Sequence, residues 1–224
     1  MTLIISETMP KLNRYSEHHI KNKLLDYCFH SPKGNLPKLI FVNIPKNASS
    51  SVRFALGLTE YTRYQDIPGR ESYSSLCIIR NPLTRIVSSY NEVLKLRDDG
   101  PAKYTKSMDW YKNRRNPIKS FRLFLEEISN GNFYDIHTFP QKKALEDKQL
   151  DLDGIDDVIL FEELSKKLPI ISERYGVKPS LPKKMQGNKL KKTLLTTHIR
   201  NNQDIKEKIL ERDLLRRLCL ISKS

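Results

Sequence analysis

The residues with the most evident chemistry lie together at Ile44-Pro45-Lys46-Asn47-Ala48-Ser49-Ser50-Ser51. Small side chains here let successive backbone N–H groups converge on an anion. A helix starting after them would add partial positive charge at its N-terminus. The hydroxyls of Ser49, Ser50 and Ser51 and the ammonium of Lys46 add further donors. This set suits binding of a phosphate-like anion and relief of charge on a leaving group. It is not a nucleotide-kinase loop, because G-x-x-x-x-G-K-[ST] is absent and Lys46 precedes the small residues. The same residues also fit a serine-rich turn that caps a helix.

A second set begins at Arg80 and runs Arg80-Asn81-Pro82-Leu83-Thr84-Arg85-Ile86-Val87-Ser88. Arg80 ends an apolar run, so it stands at the carboxyl end of a strand, where α/β sheets bind their ligands. A guanidinium there suits two-pronged phosphate binding. The competing reading pairs Arg80 with a carboxylate and packs Ser88 against the first strand.

The elements that must position these residues follow from hydropathy. Lys38 to Ile44 and Leu76 to Ile79 are continuous apolar runs, the pattern of strands buried on both faces. Asp157 to Phe161 reads as a late strand. Ser51 to Leu58, ended by Gly57, reads as a short helix. A longer one starts at Pro82, capped by Asn81, and runs to about Arg97. Phe121, Phe124, Leu125 and Ile128 give helical spacing from Pro117 to Asn130. Residues 162–175 are helical with an interruption at Pro169, and the tail from Asn201 to about Leu220 is helical. Ile20, Leu24 and Cys28 predict a helix over 16–29. The polar, basic stretch from Leu181 to Thr197 predicts a loop. Strands alternating with helices argue for an α/β domain with a mainly parallel sheet flanked by helices. The division expected is a helical extension over 1–37 and one domain over 38–224.

Composition limits the classes. Forty Lys and Arg oppose 26 Asp and Glu in 224 residues, a formal charge of +14. That excess favours anionic partners: nucleic acid, anionic lipid, acidic polysaccharide or a phosphate-bearing cofactor. Aromatic residues are not interleaved with the basic runs as base stacking would require. Cys28, Cys77 and Cys219 are far apart and odd in number, which suits a reducing compartment and excludes a disulfide framework. No His/Cys/Asp cluster has metal-ligand spacing, and no apolar run is long enough to span a membrane. With no leader peptide in view, the expectation is a cytoplasmic protein.

Taken together, the two sets resemble the cofactor motifs of the sulfotransferase family, with the P-loop-like sulfotransferase fold. The likeness is nearest to carbohydrate sulfotransferases of the heparan 2-O- and chondroitin 4-O-type group and their microbial relatives. It extends to His137-Thr138-Phe139-Pro140-Gln141 and to Val158 to Leu164. It implies transfer of a sulfuryl group from 3′-phosphoadenosine 5′-phosphosulfate to a carbohydrate or glycoconjugate hydroxyl. On this likeness Asn47, Ala48, Ser49, Ser50 and Ser51 hold the 5′-phosphosulfate and Lys46 binds its bridging oxygen. Arg80 and Ser88 hold the 3′-phosphate, and the Lys183 to Lys192 stretch, with Lys191 and Lys192 as its candidates, either folds over the nucleotide or receives an anionic acceptor. No metal is implied. The relatives' histidine between the two motifs is missing, since residues 52–79 contain no His. His137 is then the first candidate for the base, with Glu60 and Asp66 behind it. Trp110 and Tyr111 fit either ring stacking on a ligand or packing. The rival readings are a kinase-like transferase and a basic module for polyanions or nucleic acid.

Overall fold

A computed structural model describes residues 27–31, 38–99, 108–131, 133, 135, 137–175 and 189–213. Its centre is a five-stranded sheet: β1 (Tyr27–His30), β2 (Leu39–Val42), β3 (Glu60–Arg63), β4 (Ser74–Ile79) and β5 (Asp157–Leu160), in the order β3-β1-β2-β4-β5. The strands β2, β4 and β5 run parallel, with Val42 beside Cys77 and Cys77 beside Val158. On the other side β1 runs antiparallel to both β2 and β3. The sheet is therefore mixed, not mainly parallel, and the antiparallel half lies away from β4 and β5.

Alternation sorts the strand residues onto two faces. Leu39, Phe41, Leu76, Ile78 and Ile159 pack under α1 (Ser49–Ala55) and α6 (Leu164–Arg174). Ile40, Val42, Cys77 and Ile79 pack against Ala144 and Leu145 of α5 (Gln141–Glu146). With apolar cover on both faces, each large side chain contributes about 1.5–3 kcal/mol, and this is why β2 and β4 read as unbroken apolar runs.

A second cluster holds the helices. It joins α2 (Pro82–Asp99), the short α3 (Asp109–Lys112), α4 (Pro117–Ser129), α7 (Lys189–Arg200) and α8 (Gln203–Asp213). Trp110, Tyr90, Phe121, Phe124 and Phe133 meet there, edge-on or tilted except for the stacked Phe121 and Phe124. Helix α2 starts as expected, with the Asn81 side chain accepting from Leu83 N at 2.9 Å. Helix α4 starts likewise, with Asn116 accepting from Lys119 N at 3.1 Å. Gly131 follows it at φ 72, a left-handed turn that costs glycine little.

Three expectations are corrected. Residues 27–29 are strand, not the end of a helix: Cys28 and Phe29 are buried on opposite faces between β2 and β3, and sheet pairing overrides the helical spacing. The remainder of the expected 16–29 helix, like most of the 1–37 extension, lies outside the described residues. The basic stretch before Thr197 is not a loop from Lys189 onward. Leu195 and Ile199, one turn apart, bury an apolar stripe in the helical cluster, which makes α7 a helix despite its lysines and threonines. Pro169 does not interrupt α6, which runs through it. The strand β3 was unforeseen because its residues are exposed or half-buried and carry no apolar alternation.

Candidate active site

The chain leaves β2 through Ile44 and turns sharply before α1. Lys46 and Ala48 both take left-handed backbone angles, φ 69 and φ 63. For residues with a Cβ this is strained and persists only where surroundings enforce it. The enforcing contacts are identifiable. Asn47 N and the Ser49 hydroxyl both donate to Ile44 O, at 3.2 and 3.0 Å. Arg85, 2 % exposed, donates to Pro45 O through Nε and Nη2 at 3.3 and 3.2 Å. The buried Asn47 amide donates to Ile78 O at 2.7 Å and to Gln141 Oε1 at 2.6 Å. Asn47 thus fastens the loop to β4 from below, and Ser49 closes the turn. Ser51 is half-buried and Ser50 exposed on the first turn of α1.

Arg80 follows β4 and is 5 % exposed. Gln141 grips its backbone from both sides, accepting from Arg80 N and donating to Arg80 O, each at 2.9 Å. Its guanidinium lies 4.2 Å from the Phe161 ring centroid, donates from Nε to Thr84 Oγ1 at 3.2 Å, and from Nη1 to Lys46 O at 3.1 Å. No carboxylate among the described residues forms an ion pair with it. Burial pulls its pKa down to about 10, the acidic Glu162 pushes it back up, and Arg85 lowers it further. It therefore stays charged at neutral pH, with guanidinium N–H donors beyond the two in use. The carboxylate-pair reading of Arg80 does not hold among these residues.

Thr84, Ser88 and Glu92 recur every fourth residue and make one row along α2. Arg80 touches the row at Thr84. Lys46 touches it at Glu92, with Nζ 3.2 Å from Oε2. Ser88, half-buried, stands between these two contacts. The structure thus brings Lys46, Arg80 and Ser88 to one face of one helix.

His137 comes to the neighbouring face. The Ser89 hydroxyl lies against the carbonyls of Arg85 and His137, and Arg85 Nη2 donates to Phe139 O at 2.6 Å. His137 Nδ1 is 2.6 Å from Asp135 Oδ1, which also accepts from His137 N at 2.9 Å. Asp135 fixes the ring through Nδ1, and Nε2 is the nitrogen not used in that contact. Glu60 pairs with His30, which pairs with Ile40, so it stands at the opposite end of the sheet from the loop. Asp66 is exposed in a turn after β3. Lys191 and Lys192 fall in the first turn of α7, and their side chains lie outside the described residues. Trp110 is fully buried in the helical cluster and Tyr111 nearly so, which settles both as packing.

A cavity of about 250 Å³ opens between Pro82, Arg85 and Ile86 of α2, Leu125 of α4, Thr138 and Pro140, and Ile205 of α8. Its lining includes Arg85, which also holds the loop at Pro45 O, and none of the residues from Lys46 to Ser51. Sequence reasoning missed four positioning groups: Arg85, Glu92, Asp135 and the clamp role of Gln141. Arg85 and Gln141 stand inside the quoted segments and Glu92 keeps a four-residue spacing from Ser88, but none of these signals names the contact made.

A family model described as the sulfotransferase family matches residues 57–221. The chain belongs to the sulfotransferase family. The match holds Arg80, Ser88, His137 and Gln141 and begins after the Lys46 loop, so loop and match are independent observations. No curated protein and no solved structure matches this sulfotransferase. Its family indicates a transferase of sulfuryl groups. No helix among its described residues is long and apolar enough to cross a membrane.

Proposed function

We propose that this sulfotransferase takes 3′-phosphoadenosine 5′-phosphosulfate as donor and a carbohydrate or glycoconjugate hydroxyl as acceptor. The observation that carries the donor assignment is Arg80: a buried guanidinium with no ion-paired carboxylate among the described residues, at the carboxyl end of a parallel strand and bonded to Thr84, which stands one helical turn before Ser88. A buried cation without an ion-paired carboxylate is costly; Glu162 offsets part of that cost without forming an ion pair, and an arriving phosphate removes more of it. Arg80 and Ser88 receive the 3′-phosphate, which distinguishes this donor from ATP.

The donor supplies an activated sulfuryl group for in-line displacement by the acceptor oxygen. The loop from Lys46 to Ser51 holds the 5′ end, with Lys46 against the oxygen on which charge grows. His137 accepts the acceptor's proton at Nε2, with Asp135 stabilising the resulting imidazolium. Gln141 and Arg85 touch neither substrate; they fix Arg80 and the loop in register, which is where positioning catalysis gains most. Lys191 and Lys192, in the first turn of α7, add positive charge for the nucleotide or for an anionic acceptor. The carbohydrate acceptor rests on the likeness of the His137 to Gln141 segment to that group of enzymes.

The test is transfer of radiolabelled sulfate from the donor to a panel of oligosaccharides, with a tyrosine peptide and a sterol as controls. Label in a sugar is expected, falling about a hundredfold or more in His137→Ala. Label in the peptide or sterol alone would overturn the carbohydrate assignment.

A further inference from the structure

The ammonium of Lys46 is already engaged. Its Nζ lies 3.2 Å from Glu92 Oε2, and the two side chains are 18 % and 32 % exposed. Two constraints make this contact more than a passing surface pair. The Lys46 backbone is fixed in the left-handed region, with its carbonyl held by Arg80 Nη1. Glu92 ends the Thr84–Ser88–Glu92 row, about 12 Å along the helix axis from Thr84. The row therefore reads hydroxyl, hydroxyl, carboxylate, from the buried guanidinium to the loop ammonium. A carboxylate at that end is out of place in a site for a polyanion, because it repels the ligand and competes for its cation.

We propose that Glu92 is a counter-ion latch on Lys46. It draws the ammonium along α2 when the donor site is empty, and the nucleotide's 5′ anion must displace it. After transfer, Glu92 competes with the product's 5′-phosphate for the same ammonium and so hastens product release. Glu92 is a positioning residue that acts through Lys46. This inference rests on the donor reading above.

The experiment is calorimetric titration of the full chain with 3′-phosphoadenosine 5′-phosphate at low salt. It compares the unsubstituted protein with Glu92→Gln, Lys46→Met and the double variant. Glu92→Gln binds about two- to fivefold tighter, the range a partly exposed ion pair supports, and its nucleotide dissociation slows by a similar factor. In the Lys46→Met background the same change alters affinity by less than half as much. Glu92→Asp, which keeps the charge but shortens the reach, falls between. Affinity unchanged or weakened in Glu92→Gln would overturn the latch. So would a gain that keeps more than half its size without Lys46, since Glu92 would then act by repulsion alone. If the unsubstituted protein does not bind the nucleotide, the donor reading fails; if it binds and Glu92→Gln matches it, the latch alone fails.

Discussion

The helical cluster around Trp110 and the loop cluster around Asn47 are both buried, and they are built to different ends. Around Trp110 the buried polar atoms close on one another: Tyr90 donates to Ser120 Oγ at 2.7 Å and Ser120 donates to Trp110 O at 2.5 Å. Aromatic rings fill the remaining space. Around Asn47 the interior is polar and incompletely satisfied. Lys46 and Ala48 are strained, the Oδ1 atoms of Asn43 and Asn47 have no partner among the described residues, and no carboxylate among those residues forms an ion pair with Arg80. Burial without closure is a cost to folding. It makes sense where a ligand completes the arrangement. The first cluster supplies stability and the second uses it.

The contrast fails if the aromatic cluster proves dispensable. Trp110→Ala should destabilise by about 3–5 kcal/mol, read from urea unfolding. The fraction that remains folded should keep the nucleotide preference of the parent, because the rings that meet Trp110 among the described residues, Tyr90, Tyr111, Phe124 and Phe133, belong to the helical cluster. A smaller loss, below about 1 kcal/mol, would mean that the helical cluster is not the stabilising half.

Gln141→Ala probes the other half. It strands the Arg80 N–H and carbonyl and one Asn47 N–H. Leaving buried groups unpaired costs about 1–3 kcal/mol. Donor affinity should fall with it, since Arg80 and the loop lose their common tie. Stability lost with donor affinity intact would show that Gln141 only packs.

How far the sequence carried these contrasts depends on what each element hides. The strands β2 and β4 are covered on both faces, so their burial is written as unbroken apolar runs. The helices α2 and α4 begin at Asn-Pro pairs whose capping chemistry is local. In contrast, β1 and β3 are specified by each other through register, which four residues cannot announce. The stretch from Leu181 to Thr197 reads as a polar loop because Leu195 is the one fully buried side chain among its described residues. In the candidate site, the Lys46 loop and the Arg80–Ser88 spacing were legible because they are contiguous. Gln141 was visible only as part of a segment, and its grip on Arg80, 61 residues away, is a fact of packing.

The smallest expected effect lies at the sheet and bears on neither cluster. Asp156 accepts from Ser75 N at 2.7 Å and Ser75 Oγ at 2.8 Å, and these bonds hold its pKa below the usual 3.8. The lowered value means that ionised Asp156 stabilises the fold. That contribution is complete above the unfolded value and fades as the pH falls through the lower folded value. Asp156→Asn should therefore lose that contribution at pH 7 and flatten the acid limb of the stability curve, so that the two chains converge below about pH 4. An unchanged acid limb would show that another carboxylate sets it.

The central claim is that Arg80 awaits a 3′-phosphate. The direct test is the thermal unfolding midpoint with 3′-phosphoadenosine 5′-phosphate against AMP, ADP and ATP, in the parent chain and in Arg80→Met. At a hundredfold excess over the dissociation constant, binding adds about 2.7 kcal/mol, or roughly 5–10 °C for a domain of this size. The account predicts that shift for the 3′-phosphorylated nucleotide only, and its loss in Arg80→Met. Equal shifts with ATP, or a shift that survives in Arg80→Met, would contradict it.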